Sequence, residues 1–301
     1  NCLNSVDLTT TFPYIRSLEM PSFRRLRARI ATRRFGISQD QSGRVIMFCS
    51  RLMGLVMAFA VLWAEPAWPA NDPVGELLRL LDLAEKQYAQ IQDYTSTMVS
   101  RERLGEVLRP QEQVLLKFQR PFKVYMRWLD GPSKGREGLF VSGAHDDKFL
   151  VSEPRGFQRL FTAALEPTDR RVMEKSRHPV TDIGIGRLLE FVGESTRRAA
   201  RNGVLRAIER GTVESSGRRV RQVECVLTRD VRDGYYAYRA LLGFDEENHL
   251  LIRAVVYDWT DQLVEDYAYN DLRLNPGHTS RDFDPSNKEY GFSFLRFHIP
   301  G

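Results

Sequence analysis

Cysteine is nearly missing from this chain. The 301 residues include three, Cys2, Cys49 and Cys225, and the first two precede the expected start of the mature protein. The body is left with one thiol, so no internal disulfide can form there. Cys225 alternates with Val223 and Leu227 in an apolar run, the setting of a small buried hydrophobe and not of a reactive thiolate. A membrane-spanning run is also missing: residues 52–63, LMGLVMAFAVLW, are twelve apolar residues or glycines, too few to cross a bilayer as a helix. There is no H-E-x-x-H, no C-x-x-C and no P-loop, and Gly184-Ile185-Gly186 lacks the third glycine of a dinucleotide fingerprint. No cofactor is expected. The body has no net charge either. Residues 1–46 hold eight arginines and three acids, which leaves 36 of the 44 basic and 36 of the 39 acidic residues for the rest. The sequence pI of 9.1 therefore belongs to the head. A neutral body lacks the basic surface that phosphate binding requires, so nucleic acid is excluded as its partner.

What is present begins with that head. Residues 1–46 read as a disordered basic leader or a translation artefact, and residues 47–70 as a signal peptide starting at Met47. Arg51 precedes the apolar run, and Ala64, Pro66, Ala67, Pro69 and Ala70 follow it, so cleavage is expected between Ala64 and Ala70. The alternative is an uncleaved anchor over residues 52–63. Either form places the body outside the cytoplasm, with periplasmic export as the expectation.

From Asp72 the pattern is helical. Asp72-Pro73 is an N-cap followed by proline in the first turn, and Leu77, Leu80, Leu81, Ala84 and Tyr88 recur at helical spacing. This helix is expected to end near Asp93. The period then changes to two, over Tyr94–Arg103, Gln111–Gln119, Phe122–Leu129, Arg136–Ser142 and Lys148–Ser152, an antiparallel meander. Residues 154–181 are irregular. A second helix is expected over Asp182–Asn202, with Ile185, Leu188, Leu189 and Val192 on its apolar face and Gly203 as its stop. Five more strands follow, near 205–213, 219–228, 235–244, 249–258 and 263–273. About ten strands and two helices in this order predict an α+β fold in a single domain over residues 72–290, with 291–301 as a tail.

One motif suggests chemistry. Gly131-Pro132-Ser133-Lys134-Gly135 spells G-x-S-x-G, the serine-hydrolase elbow. That elbow needs a strand, a sharp turn and then a helix, whereas here extended runs flank the loop. It needs a histidine as well. His145 and His249 sit at turns, His278 and His298 lie in the tail, and His178 precedes a proline. Catalysis by Ser133 is the remote alternative. Asp282-Phe283-Asp284 reads as a solvated acidic segment, and His145-Asp146-Asp147 as a turn, in preference to metal sites.

The strand faces say more. Val124, Met126 and Trp128 share one face of their strand, and Tyr236, Tyr238, Ala240, Leu242 and Phe244 share another. A strongly curved sheet of this size has a hollow side that two helices cover only in part. Either that side is filled by the protein's own side chains or it leaves an apolar ligand groove, for which Met98, Val124, Met126, Trp128, Phe140, Tyr238, Ile252 and Val256 are the lining candidates.

The segments "YTSTMVSRERLGE", "FQRPFKVYMRWLDGPSKGREGLFV" and "EDYAYNDLRLN…DFDP" resemble a family of exported bacterial proteins, domain of unknown function 1571. That family is related to the LolA/RseB-like superfamily of periplasmic lipoprotein carriers and sensors. The resemblance covers residues 75–290 and implies a half-open antiparallel barrel closed by helices over an apolar cavity. It implies a non-catalytic carrier for a lipid, acyl chain or lipoprotein, in transient contact with the membrane. The alternative is an envelope sensor that binds a lipopeptide or a protein partner.

Overall fold

The structure, a computed structural model, describes residues 72–154, 161–230 and 234–292, together with the backbone of 296–297. The basic leader, the apolar run and the expected cleavage region lie outside the described residues. Among the described residues no helix is long and apolar enough to cross a membrane.

Helix α1 (Pro73–Ala89) starts as its sequence requires: the Asp72 carboxylate accepts from the Gly75 amide at 3.0 Å, and Pro73 occupies the first turn. Its buried residues are Leu77, Leu80, Leu81 and Ala84. The helix ends before the expected Asp93, which instead opens strand β1 (Asp93–Leu104). The first meander continues through β2 (Val107–Leu108), β3 (Glu112–Gln119), β4 (Lys123–Trp128), β5 (Glu137–Val141), β6 (Phe149–Ser152) and β7 (Thr162–Leu165). The irregular middle thus contains a strand that alternation did not disclose, and then a single helical turn, α2 (Arg170–Met173). Helix α3 (Ile185–Arg201) precedes the second meander, β8 (Leu205–Ser215), β9 (Arg218–Leu227), β10 (Arg239–Asp245), β11 (Leu251–Tyr257) and β12 (Leu263–Leu274).

Among the described residues one sheet of thirteen strands forms, in the order β13-β7-β6-β5-β4-β3-β1-β12-β11-β10-β9-β8, with β13 at Arg296–Phe297 and β2 beside β1. The three strands beyond the expected set are the short β2, β7 and β13. Pairing is antiparallel except between β13 and β7. The two meanders are sewn together by β1, which lies between β3 and β12. Register shifts break the ladders at Thr95/Thr97, Glu209/Gly211, Gly243/Phe244 and Val256/Tyr257. Such bulges bend a sheet. The two end strands do not pair, so the curved sheet remains a half-open barrel.

Each face of the sheet has its own core. The hollow face packs Tyr94, Met98, Leu116, Phe118, Met126, Leu242 and Phe244 against Leu77, Leu81, Ile185 and Leu189 of the two long helices. Gly193 lets α3 approach α1, because a Cβ there would lie 2.6 Å from Arg197 and 2.8 Å from Glu85. Arg197 closes this contact by bonding Asp82 at 2.6 Å and Glu85 at 2.8 Å. The outer face packs Tyr125, Leu139 and Leu150 against Phe283 and Phe292 of the C-terminal segment. Asp282-Phe283-Asp284 is therefore not a solvated acidic segment. Phe283 is buried, and Asp282 binds Lys117 at 2.8 Å and caps its own turn through Thr279. The sequence reading missed this because a short apolar residue between two acids has no periodicity to betray a packed face.

Candidate functional site

The register places the hollow-face residues of β3, β4 and β5 in rows. Phe118, Val124 and Phe140 form one row, Leu116, Met126 and Gly138 the next, and Val114 and Trp128 a third. Gly138 is required here, since a Cβ would meet the Phe149 ring at 2.6 Å. Of the expected lining residues, Met98, Val124, Met126, Phe140 and Ile252 come together in this core, and Trp128 packs against it. Tyr238 does not join them: its ring faces Trp259 at 6.3 Å and Arg229 at 4.6 Å. Val256 is buried in β11 as the cross-strand partner of Ala240 and Glu265.

The rows end at an open cleft. It occupies about 570 Å³ between the β3–β4 turn, the end of α1 and the start of α3, and Phe118, Phe122, Arg120, Tyr88 and Arg187 line it. That volume is in the range of small-molecule sites. From the cleft, aromatic contacts continue inward. Phe122 meets Phe118 at 5.4 Å and Phe140 at 5.8 Å, both edge to face, and Phe118 stacks on Tyr94 at 5.1 Å. Arg120 lies over the Tyr88 ring at 4.7 Å and donates one hydrogen bond, 2.8 Å, to the Tyr88 carbonyl.

The start of α3 has no side-chain cap, because Gly184 stands at the N-cap with φ 107°. Tyrosine hydroxyls do that work from the sheet and α1. The Ile185 amide donates to Tyr94 Oη at 3.0 Å, and the Gly186 and Gly184 amides face the hydroxyls of Tyr88 and Tyr269. Burial raises the pKa of all three phenols, so the hydroxyls remain protonated, each with lone pairs free to accept.

At the other end of β1 the hollow face becomes polar. Glu102 and Glu265 are directly opposite one another across the β1–β12 pair, and both are buried. Like charges placed so are unfavourable. The connection between α2 and α3 offsets this. The Arg177 amide donates to Glu102 at 2.8 Å, His178 Nε2 meets Glu265 at 3.0 Å, and the Arg177 guanidinium lies 3.6 Å from Glu265. Tyr236 donates to Glu265 at 3.1 Å, and Tyr267 donates to Glu102. Burial alone would lower the His178 pKa. The hydrogen bond and charge of Glu265, with the charges of Glu102 and Asp182, raise it above the ordinary histidine value. Sequence reading passed over this cluster. The available signal was a glutamate on the inward side of each strand: Glu102 in step with Met98, and Glu265 in step with Tyr267 and Tyr269.

Ser133 lies in the loop between β4 and β5, strand to strand as expected. Its amide donates to Glu112 at 2.9 Å and its hydroxyl accepts from Arg136 at 3.2 Å. The His145–Asp147 turn is a 3-10 turn with positive φ at all three residues. Among the described residues no group of histidine, cysteine or acidic side chains is placed to hold a metal. Cys225 is buried and its thiol is pushed up to about 12 by burial, in keeping with a packing role.

Residues 91–292 match the family described as "Protein of unknown function (DUF1571)". The chain belongs to this family. The match runs through Phe292, the last residue of the outer core, and includes both the cleft motif Arg120-Pro121-Phe122 and the Glu102–Glu265 pair. No curated protein matches the sequence. Among solved structures it is similar to the lipoprotein LppX of Mycobacterium tuberculosis, at 11% identity and TM-score 0.42, over 70% of this chain and 99% of that one. It is similar to a chain of the MucA/MucB complex of Pseudomonas aeruginosa, at 13% identity and TM-score 0.40, over 69% of this chain and 60% of that one. A third likeness, at 11% identity and TM-score 0.30, is to a LolA superfamily protein from Nitrosomonas europaea, over 68% and 96% of the two chains. At this identity and these scores the likenesses assign neither ligand nor partner.

Proposed function

We propose that this protein is an exported, non-catalytic binding protein that holds the acyl chain of a lipid or lipoprotein against the hollow face of its sheet. The observation that carries the reading is the cleft of about 570 Å³ whose aromatic wall, Phe118 and Phe122, runs unbroken into the apolar rows of β3, β4 and β5. An acyl chain would lie on Phe118 and Phe122 in the cleft, and to go deeper it would have to displace Val124, Phe140 and Met126, which are buried in the packed core. Burying each methylene contributes about 0.8 kcal/mol, so about ten carbons give some 8 kcal/mol before the cost of association. No polar reaction centre is needed for such affinity. The apolar run at residues 52–63 supports export to the periplasm.

Native mass spectrometry of the protein purified from its own envelope is expected to detect a copurified lipid. A fluorescent fatty acid should bind the delipidated protein, and Phe122→Ala should weaken that binding about tenfold, the loss of one buried ring contact. A delipidated protein that takes up no acyl probe would overturn the proposal.

A further inference from the structure

The cleft has a charge that the carrier reading does not use. Among the described residues Arg120 makes no ion pair, although it lines a wall otherwise built from Phe118, Phe122 and Tyr88. Its Nη2 donates to the Tyr88 carbonyl and its guanidinium also faces the Tyr88 hydroxyl, which leaves donors over, since a guanidinium has five. Across the cleft, Arg187 is tied to Asp182 at 3.2 Å and to Glu190, yet its Nε is buried with no hydrogen-bond partner. At the start of α3 the Ile185 amide already donates to Tyr94 Oη. Gln92 also lines the cleft, but the two arginines carry its only charges, and of these Arg120 has no carboxylate partner among the described residues.

We propose that the cleft selects amphiphiles with an anionic head, a carboxylate or a phosphate. Arg120 binds the head through its remaining guanidinium donors while the chain lies on Phe118 and Phe122, with Arg187 in the same cleft wall. This inference rests on the carrier reading, since it assigns a head-group preference to the same cleft. The physical basis is that a guanidinium matches the two oxygens of a carboxylate or phosphate, and that a charge-assisted hydrogen bond beside an apolar wall is stronger than one in open water.

The test is calorimetric titration of the full chain with three twelve-carbon ligands, each below its micelle concentration: dodecanoate, dodecyl phosphate and the uncharged tetraethylene glycol monododecyl ether. Both anions are expected to bind about tenfold more tightly than the ether, and the tighter of the two identifies the head. Arg120→Gln should abolish the difference and leave the ether unchanged, while Arg120→Lys should retain part of it. Because Arg120 also holds the Tyr88 carbonyl, a salt titration of the unaltered protein gives a reading that no folding defect can confuse: the anionic advantage should shrink between low and high salt, with the ether constant. Equal binding of all three ligands would overturn the head-group inference and leave the carrier reading standing. An advantage that survives Arg120→Gln would overturn it too. If none of the three binds, both fall together.

Discussion

The two faces of this sheet are covered in different ways. The outer face is held by a short C-terminal segment anchored through several polar contacts. Tyr290 stacks on Tyr125 at 3.9 Å, Asp282 binds Lys117, the Ser152 hydroxyl donates to the Gly291 carbonyl at 2.7 Å, and the Gly291 amide donates to Glu137 at 2.7 Å. The hollow face is covered by two helices and a connection. Its interior is apolar, but its two ends are not closed in the same manner: a charged clamp over Glu102 and Glu265 at one end, an open cleft with an unpaired Arg120 at the other. The outer face thus behaves as a staple. The hollow face keeps its apolar packing in the middle and its polarity at the ends.

The comparison makes predictions that differ in size. Leu116 is fully buried at the centre of the hollow face, and Leu116→Ala is expected to cost about 4 kcal/mol of unfolding free energy, read by urea denaturation. Phe283→Ala on the outer face should cost about 3 kcal/mol, the lower part of the range for a buried ring, because its cluster is small. Equal losses, or a larger one at Phe283, would reverse the ranking of the two faces.

The polar contacts separate the faces by pH. His178, with a raised pKa, stabilises the fold below its unfolded value of about 6.5, and that stabilisation is lost as pH rises through the folded value. Glu265, Glu102, Asp182, Arg177, Tyr236 and Tyr267 are the groups that face this ring or its carboxylate partners. Asp282 acts in the opposite sense. Burial alone would raise its pKa, but Lys117 and the Thr279 amide and hydroxyl lower it to about 2. Its contribution is present above the ordinary aspartate value and is lost as pH falls toward 2. His178→Gln should therefore flatten the alkaline side of the stability profile, and Asp282→Asn the acid side, in denaturation series from pH 3 to 9. A His178→Gln profile identical to that of the unaltered protein would remove the clamp from the comparison.

The smallest effect is expected at Ser133. Ser133→Ala removes one partly exposed hydrogen bond to Arg136 and should change stability by no more than about 1 kcal/mol. A serine-directed phosphonate probe is expected to leave the protein unlabelled. Covalent labelling at Ser133 would restore the hydrolase alternative.

Much of the fold was legible because it rests on local periodicity. Alternation located ten strands, spacing located two helices, and Asp72-Pro73 marked a helix start that the structure reproduces. The flanking strands alone identified the Ser133 loop as a hairpin connection. The candidate site was less legible. Leu77, Val124 and Met126 announce themselves as apolar, but whether an apolar residue faces a cleft or a neighbour depends on what packs above it. Tyr238 illustrates the limit: its strand parity suited the hollow face, yet Trp259 and Arg229 surround it instead. His178 illustrates another. It meets Glu265 across 87 residues of chain, a distance no motif spans.

Composition and periodicity by themselves determined that the body has no internal disulfide and no net charge, the α+β order of elements and the apolar side of each strand, because these depend on residue counts or on residues a few positions apart. Only the tertiary structure decided that β1 lies between β3 and β12, that Glu102 consequently faces Glu265, that Phe283 seals the outer face and that Arg120 stands unpaired beside an aromatic wall. Each of these depends on which distant segments the closing of the sheet brings together, and the free energy of that choice is spread over the whole core instead of being held in any short stretch of chain.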